Sequence, residues 1–377
     1  MIMSQDSFQN PARETAGGLL RIDLGALARN WRAVKARASE GARVGAVVKA
    51  EAYGLGAAPV SAALYGAGCR DFFVAHLIEA QRLRPSLPAE ARLILLNGFA
   101  PGGAAACFEA GTIPALNSLE QVAEWSAQAR GRGRELEAFL QLDTGMSRLG
   151  LSPAEAEILT REPERLTGIR LLYVMSHLAC ADEPENPQNA FQLAEMKRLA
   201  ALFPHLPISF ANSGGVLLGP DWHGALLRPG LALYGGRTTR DREIPVEPVV
   251  RLDLRVIQLR SVRAGAKVGY GGVFTAPGET RLAVLSAGYA DGLPRSLEGR
   301  GAVWFGGTRL PLAGRVSMDS MIVDVTALPP GALKPGDLVE MIGPNQSLEA
   351  VAAAAGTINY EILTGLGGRL HRDYASD

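Results

Sequence analysis

Between residues 44 and 235 short apolar runs alternate with stretches of helical periodicity. The runs are VGAVV from Val44, DFFVA from Asp71, RLILL from Arg92, TIPAL from Thr112, ELEAFLQL from Glu135, IRLLYVMS from Ile169, PISFA from Pro207 and ALLRP from Ala225. Each has strand length and is apolar almost throughout, the pattern of a strand buried on both faces. PVSAALYGAG, SLEQVAEWSAQAR and NAFQLAEMKRLAALF lie between them and repeat their apolar positions every three to four residues. Strands alternating with helices predict βαβ units and a parallel sheet. Eight runs of this kind predict an α/β fold, a (β/α)8 TIM-like barrel. The alternative is a doubly wound open sheet, whose dinucleotide-binding form is disfavoured because no GxGxxG follows the first run. Ahead of the barrel, Asp23 is placed to cap a helix running to about Ala38.

The pattern changes after Thr238. PVVRLDLRVIQLRSVRAGAKV, RLAVLSA, AVWFGGTRLPLAG, MIVDVTAL and DLVEMIG alternate at strand period with Gly and Pro between them, and one helical stretch, SLEAVAAAAG, interrupts them. This predicts a separate, mostly β domain. The division expected is a flexible tail over 1–18, a barrel over 19–237 and a C-terminal β domain over 238–377, with a charged linker around Arg237 to Glu247.

Composition narrows the class. Thirty-eight basic residues balance thirty-eight acidic ones in 377, so no basic stripe points to nucleic acid. No apolar run is long enough for a bilayer, and the first residues lack the layout of a signal peptide. Cys69, Cys107 and Cys180 are far apart and not in metal-ligand spacing, which reads as free thiols in a cytoplasmic protein with no metal site.

A barrel of this kind carries its chemistry at the C-terminal ends of its strands. Lys49 follows the first run, His177 the sixth, Asn212 and Ser213 the seventh, and Arg228 closes the eighth ahead of Pro229 and Gly230. A lysine with a packed stem has a depressed pKa, and its neutral amine attacks an aldehyde to form a Schiff base. A surface lysine at a strand end fits Lys49 equally well by position alone. Ser213-Gly214-Gly215 and Gly230 offer backbone N–H groups to an anion after strands seven and eight, although Ser and Gly also serve ordinary turns. Arg228 suits the nitrogen of a pyridine ring as a donor that never takes the proton; a structural salt bridge is its plain reading. Together these point to pyridoxal 5'-phosphate.

The segment AVVKAEAYGLG around Lys49 resembles the cofactor-lysine motif of alanine racemases, members of the fold type III pyridoxal-phosphate enzymes. LDTGMSRLG, MSHLACAD, ANSGG, LLRPGLALYGG, VGYGG, AGYADGLPR, GRVSMDS and TINYE follow in the family's order, so the resemblance covers nearly the whole chain after the N-terminal tail. It implies racemisation of L- and D-alanine, a source of peptidoglycan precursor, by a homodimer in which the β domain of one chain caps the barrel of the other. By the same resemblance Lys49 holds the cofactor and acts as base on one face, and Tyr270 of the second chain acts on the opposite face. Tyr53, Ser213, Gly230, Leu231 and Tyr360 match phosphate-binding positions and Asn212 lies beside them. Arg228 matches the arginine at the pyridine nitrogen and Arg148 the one at the phenolic oxygen. His177 matches the histidine linking Arg228 to Tyr270, and Met318 a backbone contact to substrate. Tyr289, Arg295 and Asp319 are supporting positions.

The pair of bases makes physical sense. Inverting a carbon through a planar state needs an acid and a base on opposite faces, and a phenol, with a reference pKa near ~10, needs neighbours that poise it. Gln141 stands seven residues before Arg148, where many members carry a carbamylated lysine, Ser317 stands where Cys is common, and Glu51 and Leu55 replace the usual Asn and His. Competing readings are a racemase of serine or basic amino acids, a non-catalytic cofactor-binding protein, which is typically the barrel alone, and a decarboxylase or aldolase, disfavoured by Arg228 and by the missing metal ligands.

Overall fold

The computed structural model describes residues 10–239 and 244–376. Of the segment expected as a tail, residues 1–9 lie outside the described residues, as do 240–243 of the expected linker. The chain divides into two units: residues 26–52 with 56–247, and residues 1–25, 53–55 and 248–377.

The first unit is the barrel, and every apolar run of the first half forms one of its strands. Seven parallel strands follow in sequence order, Ala46–Val47, Asp71–Val74, Arg92–Leu95, Ile113–Leu116, Leu136–Gln141, Ile169–Met175 and Ile208–Ser209. The eighth, Leu226–Leu227, pairs in parallel with Arg43–Val44, and the N–H groups of Gly45 and Val47 donate to the carbonyls of Leu227 and Pro229. Ala225 N–H donates to Ile208, and Arg228 N–H to Ala211. The ladder therefore runs back to its own beginning. Asp71–Val74 and Ile113–Leu116 are buried at every position, which is why their runs carry no alternation.

The surrounding helices are started by their own sequence. Ser118 accepts from Gln121 N–H ahead of Leu119–Arg132, which buries Val122, Trp125, Ser126 and Ala129 along one stripe and ends on Gly133. Ser152 and Glu155 form a reciprocal capping box on Pro153–Arg161. Asn186 caps Pro187–Ala200. At the N-terminal ends of the strands the buried carboxylate of Asp71 is bonded by Arg43 and Arg92. An ion cluster therefore ties the first three strands together at that end.

The second unit is a sheet built on one long strand, Val250–Val262. Its first half lies between Leu338–Ile342 and Gly18–Asp23, and its second half pairs with Thr280–Leu285, which pairs in turn with Met321–Asp324. An irregularity between Val256 and Gln258 separates the two registers, bending the strand as bulges do. Gly18–Asp23 also pairs in parallel with His371–Ala375, so the earliest strand of the chain belongs to the same sheet as the latest. Leu348–Ala355 is the helix that interrupts the strands. No helix among the described residues is long and apolar enough to cross a membrane.

Candidate active site

Lys49 comes directly after the first barrel strand, whose end is still tied to the next through Val48 N–H and the Phe73 carbonyl. The backbone then turns the wrong way. Ala50, Glu51, Ala52 and Tyr53 have φ values of 52°, 55°, 52° and 58°. Left-handed helical residues other than glycine cost roughly 1–2 kcal/mol each, so the turn persists only because its surroundings hold it. Glu79 Oε1 accepts Ala50 N–H at 2.5 Å, Ala52 N–H donates to the Val48 carbonyl, Gly56 N–H to that of Glu51, and the Glu51 carboxylate accepts Ala57 N–H at 3.2 Å.

Burial lowers the Lys49 amine below its ordinary range; Arg148 lowers it further and Glu79 opposes both. Arg148 stands on a loop shaped by Asp143, whose Oδ1 accepts the N–H groups of Gly145, Met146 and Ser147 at 2.9, 3.0 and 3.1 Å. Gln141 is buried at the end of its strand. Among the described residues neither its amide nor the Arg148 guanidinium has a hydrogen-bond partner.

Arg228 is 3% exposed, and its partners are all neutral: Ser209 Oγ at 2.6 Å and the carbonyls of Ser176 and Phe210. Burial brings its pKa down to about 10, so it stays charged at neutrality without a counter-ion. His177, held in place by Gln192 through its carbonyl, is pushed down to about 3 by burial and by Arg228, Arg148 and Lys49. No hydrogen bond joins its ring to Arg228 among the described residues; their coupling is electrostatic.

A pH dependence follows. The unfolded chain takes up a proton at His177 as pH falls through the ordinary value of 6.5, whereas the folded chain does so only near about 3. Stability present above that ordinary value is therefore lost progressively down to the folded value. His177→Asn is expected to flatten this loss, read as a smaller fall in urea midpoint between about pH 7 and about pH 4.5 in cofactor-free protein.

Ser213 Oγ accepts the N–H groups of Gly230 at 2.9 Å and Ala232 at 3.2 Å, so the ends of strands seven and eight do converge. The helix after Asn212 and Ser213, Gly215–Leu218, has four residues, too short for much of a dipole. At Gly214 a Cβ would stand 2.7 Å from the Ala181 carbonyl oxygen, so the backbone lies against its neighbour there.

The remaining candidates lie in the β unit. The Tyr53 and Tyr360 rings are 6.0 Å apart, and burial first, then Tyr360, raises the Tyr53 phenol, keeping it a hydrogen-bond donor. Tyr270 sits in a glycine turn between Lys267–Val268 and Phe274–Thr275 and is 71% exposed. Tyr289 and Met318 are also exposed and lie on adjoining turns, where Tyr289 N–H donates to Ser317 and Ala290 N–H to Met318. Arg369 grips Asp291 with two nitrogens and Asp319 with the third. Arg295 is exposed on the turn that follows.

Sequence reasoning missed Glu79, Asp143, Gln192 and Arg369. Glu79 and Asp143 carried local signals, the glutamate three residues after the N-cap His76 and the aspartate two residues ahead of Gly145; Gln192 and Arg369 act on residues that folding brings near.

A parallel barrel with a half-buried lysine after its first strand, followed in sequence by a β unit, is the layout of a two-unit barrel enzyme. The sequence matches the family descriptions "Alanine racemase, N-terminal domain" over residues 22–238 and "Alanine racemase, C-terminal domain" over 249–374. It is 58% identical over 372 residues to a protein of Agrobacterium fabrum described as a catabolic alanine racemase, covering 99% of this chain and 96% of that one. It is 51% identical over 385 residues to the alanine racemase of Brucella ovis, covering 99% and 97%. Among solved structures, alanine racemase from Bartonella henselae with covalently bound pyridoxal phosphate superposes with a TM-score of 0.91 at 42% identity, covering 95% of this chain and 99% of that one. The biosynthetic enzyme of Pseudomonas aeruginosa gives 0.88 at 37% identity, covering 96% and 100%. The chain belongs to the alanine racemase family.

Proposed function

We infer that this protein interconverts L- and D-alanine with pyridoxal 5'-phosphate as cofactor. The observation that carries the reading is Lys49: a half-buried amine with a lowered pKa after the first strand, in a chain matched over nearly its whole length by alanine racemases.

The residues present fit the cofactor. Lys49, Arg148 and Arg228 all act on His177, and Arg228 has no carboxylate among its bonded partners. This pocket is short of negative charge, which an anionic ligand supplies. Lys49 would hold it covalently, Arg228 would donate to the ring nitrogen, and Arg148 to the phenolic oxygen. Ser213, Gly230 and Leu231 would receive the phosphate, with Asn212 Oδ1 fixing their turn through Gly215 N–H. Tyr53 and Tyr360 are assigned to the phosphate as donors. When bound, pyridoxal phosphate withdraws electrons and so makes the substrate Cα proton acidic.

The protein's own groups then decide where the proton goes. Lys49 Nζ, whose proton burial and Arg148 loosen, removes or returns it on one face. The Tyr270 oxygen does so on the other. Arg228 donates and never accepts, which limits electron withdrawal and returns the proton to Cα. His177 stays neutral, so it adds no further positive charge beside Arg228, Arg148 and Lys49. Met318 offers its backbone, and Arg148 its guanidinium, to the substrate; Tyr289, Arg295 and Asp319 line the approach.

The partner is a second copy of this chain. Tyr270, Tyr289 and Met318 are 71%, 44% and 53% exposed in the single chain, and proton transfer at carbon is protected only where water is excluded. The unpaired cysteines favour the cytoplasm. D-alanine for peptidoglycan is part of this reading. Because enantiomers have equal free energy, net direction is set by which pool is drained.

The test is to incubate L-alanine, L-serine and L-lysine separately with protein and cofactor and resolve the enantiomers. D-alanine is expected to form far faster than the others; comparable racemisation of serine or lysine would replace this reading with a broad-specificity racemase. Sharing of sites is tested by mixing the Lys49→Ala and Tyr270→Phe variants. Random mixed dimers regain one intact site each, returning about a quarter of full activity; no regain on mixing would reject the shared site.

A further inference from the structure

Glu79 is the third residue of Leu77–Leu83, the helix that follows the second barrel strand. Its carboxylate accepts three backbone N–H groups: Ala50 at 2.5 Å through Oε1, and Ala75 at 2.7 Å and His76 at 2.8 Å through Oε2. A capping glutamate ordinarily reaches back to the N-cap N–H alone, here that of His76. The bond to Ala50 is of a different kind. Ala50 belongs to the neighbouring strand's loop and is the residue next to Lys49. One side chain thus pins together the ends of the first two strands at the point where the lysine emerges.

Ala50 also opens the left-handed turn. Its own type and those of Glu51 and Ala52 favour the right-handed helix. A charge-assisted bond to the first N–H of the turn opposes that preference directly. Without it, rotation at Ala50 would redirect the chain on which Lys49 sits.

We propose that Glu79 is the positioning residue for Lys49: it holds the Ala50 N–H, fixes the left-handed turn and so the direction of the lysine side chain, and sets a negative charge against that of Arg148 at the amine. Within the barrel unit the titratable groups facing Lys49 are Arg148 from the loop after Gln141, His177 from the end of the sixth strand, and Glu79. His177 is neutral, Arg148 lowers the amine's pKa and Glu79 raises it. Removing the Glu79 charge therefore moves the amine down.

The inference rests on Lys49 being the working amine, and its test reads Glu79 without the reaction. Amide exchange at Ala50 in the full-length protein is expected to speed up on the order of tenfold in Glu79→Ala. In cofactor-free protein, competitive acetylation of Lys49 across pH, read by peptide mass spectrometry, is expected to show a midpoint shifted to lower pH in Glu79→Gln. Lys35, on the helix Leu24–Arg37, is the unchanged internal control. Glu79→Asp keeps the charge on a shorter stem, so it is expected to restore the labelling midpoint while exchange at Ala50 stays fast. In loaded enzyme, kcat for alanine is expected to fall on the order of tenfold in Glu79→Gln with a smaller change in KM, because the reacting amine is misdirected while substrate contacts remain.

Unaltered Ala50 exchange and unaltered Lys49 labelling in Glu79→Gln would overturn the proposal. If Glu79→Ala does not fold, Glu79→Gln, of the same shape, carries both readings. Failure of the functional reading is seen elsewhere, as a cofactor absorbance that survives loss of Lys49.

Discussion

Lys49→Ala is expected to abolish two signals together: the visible absorbance of lysine-held cofactor and the racemisation of alanine. The absorbance vanishes because no other described lysine can replace this one. Lys35 and Lys197 are on helices, Lys267 is in the hairpin of the β unit, and Lys334 is in a turn. The rate is expected to fall because the substitution removes the proposed anchor and the proposed base at once. Loss of a positioned acid or base alone is worth roughly 10²–10⁴-fold, and loss of the anchor adds to it. Added methylamine is expected to restore part of the rate, since a small amine can occupy the space the side chain leaves. An unchanged absorbance spectrum in the variant would remove Lys49 from the site.

Tyr270→Phe keeps the ring and deletes only the phenolic oxygen. Racemisation is expected to fall on the order of 10²–10⁴-fold, equally in both directions, because the two enantiomers have equal free energy. Isotope exchange separates the faces. In deuterated water the enantiomer whose Cα proton points toward Lys49 is expected to go on exchanging, and the other to stop. The exposure of Tyr270 argues that little folding stability is lost, so a correctly folded variant should be obtained. Near-wild-type exchange from both enantiomers would exclude the phenol from the chemistry.

Much of the barrel was legible because its strands are buried on both faces and its helices carry their own caps. Runs such as DFFVA and RLILL, and caps such as Ser118 and Ser152, are local patterns that need no knowledge of partners. The strand Gly18–Asp23 was not legible. It pairs with Leu252 and Tyr374 and their neighbours, far along the chain, so nothing local distinguishes it from the lead-in to a helix. The His371–Ala375 strand is half-buried at every position and polar in sequence, so it shows no alternation.

The site divides in the same way. The identities of Lys49, Arg228, Ser213 and Tyr270, and their places after strands or in a glycine turn, were set by the order of residues along the chain. Their chemical states were not. Ala-Glu-Ala reads as right-handed helix, yet it is left-handed here, with its first N–H bonded by Glu79 from the helix after the next strand. The pKa of the Lys49 amine is lowered, His177 stays neutral and Arg228 stands without a carboxylate because burial removes water from them and folding sets them beside one another. Pattern is a property of neighbours in sequence, whereas handedness under constraint and charge under desolvation are properties of neighbours in space.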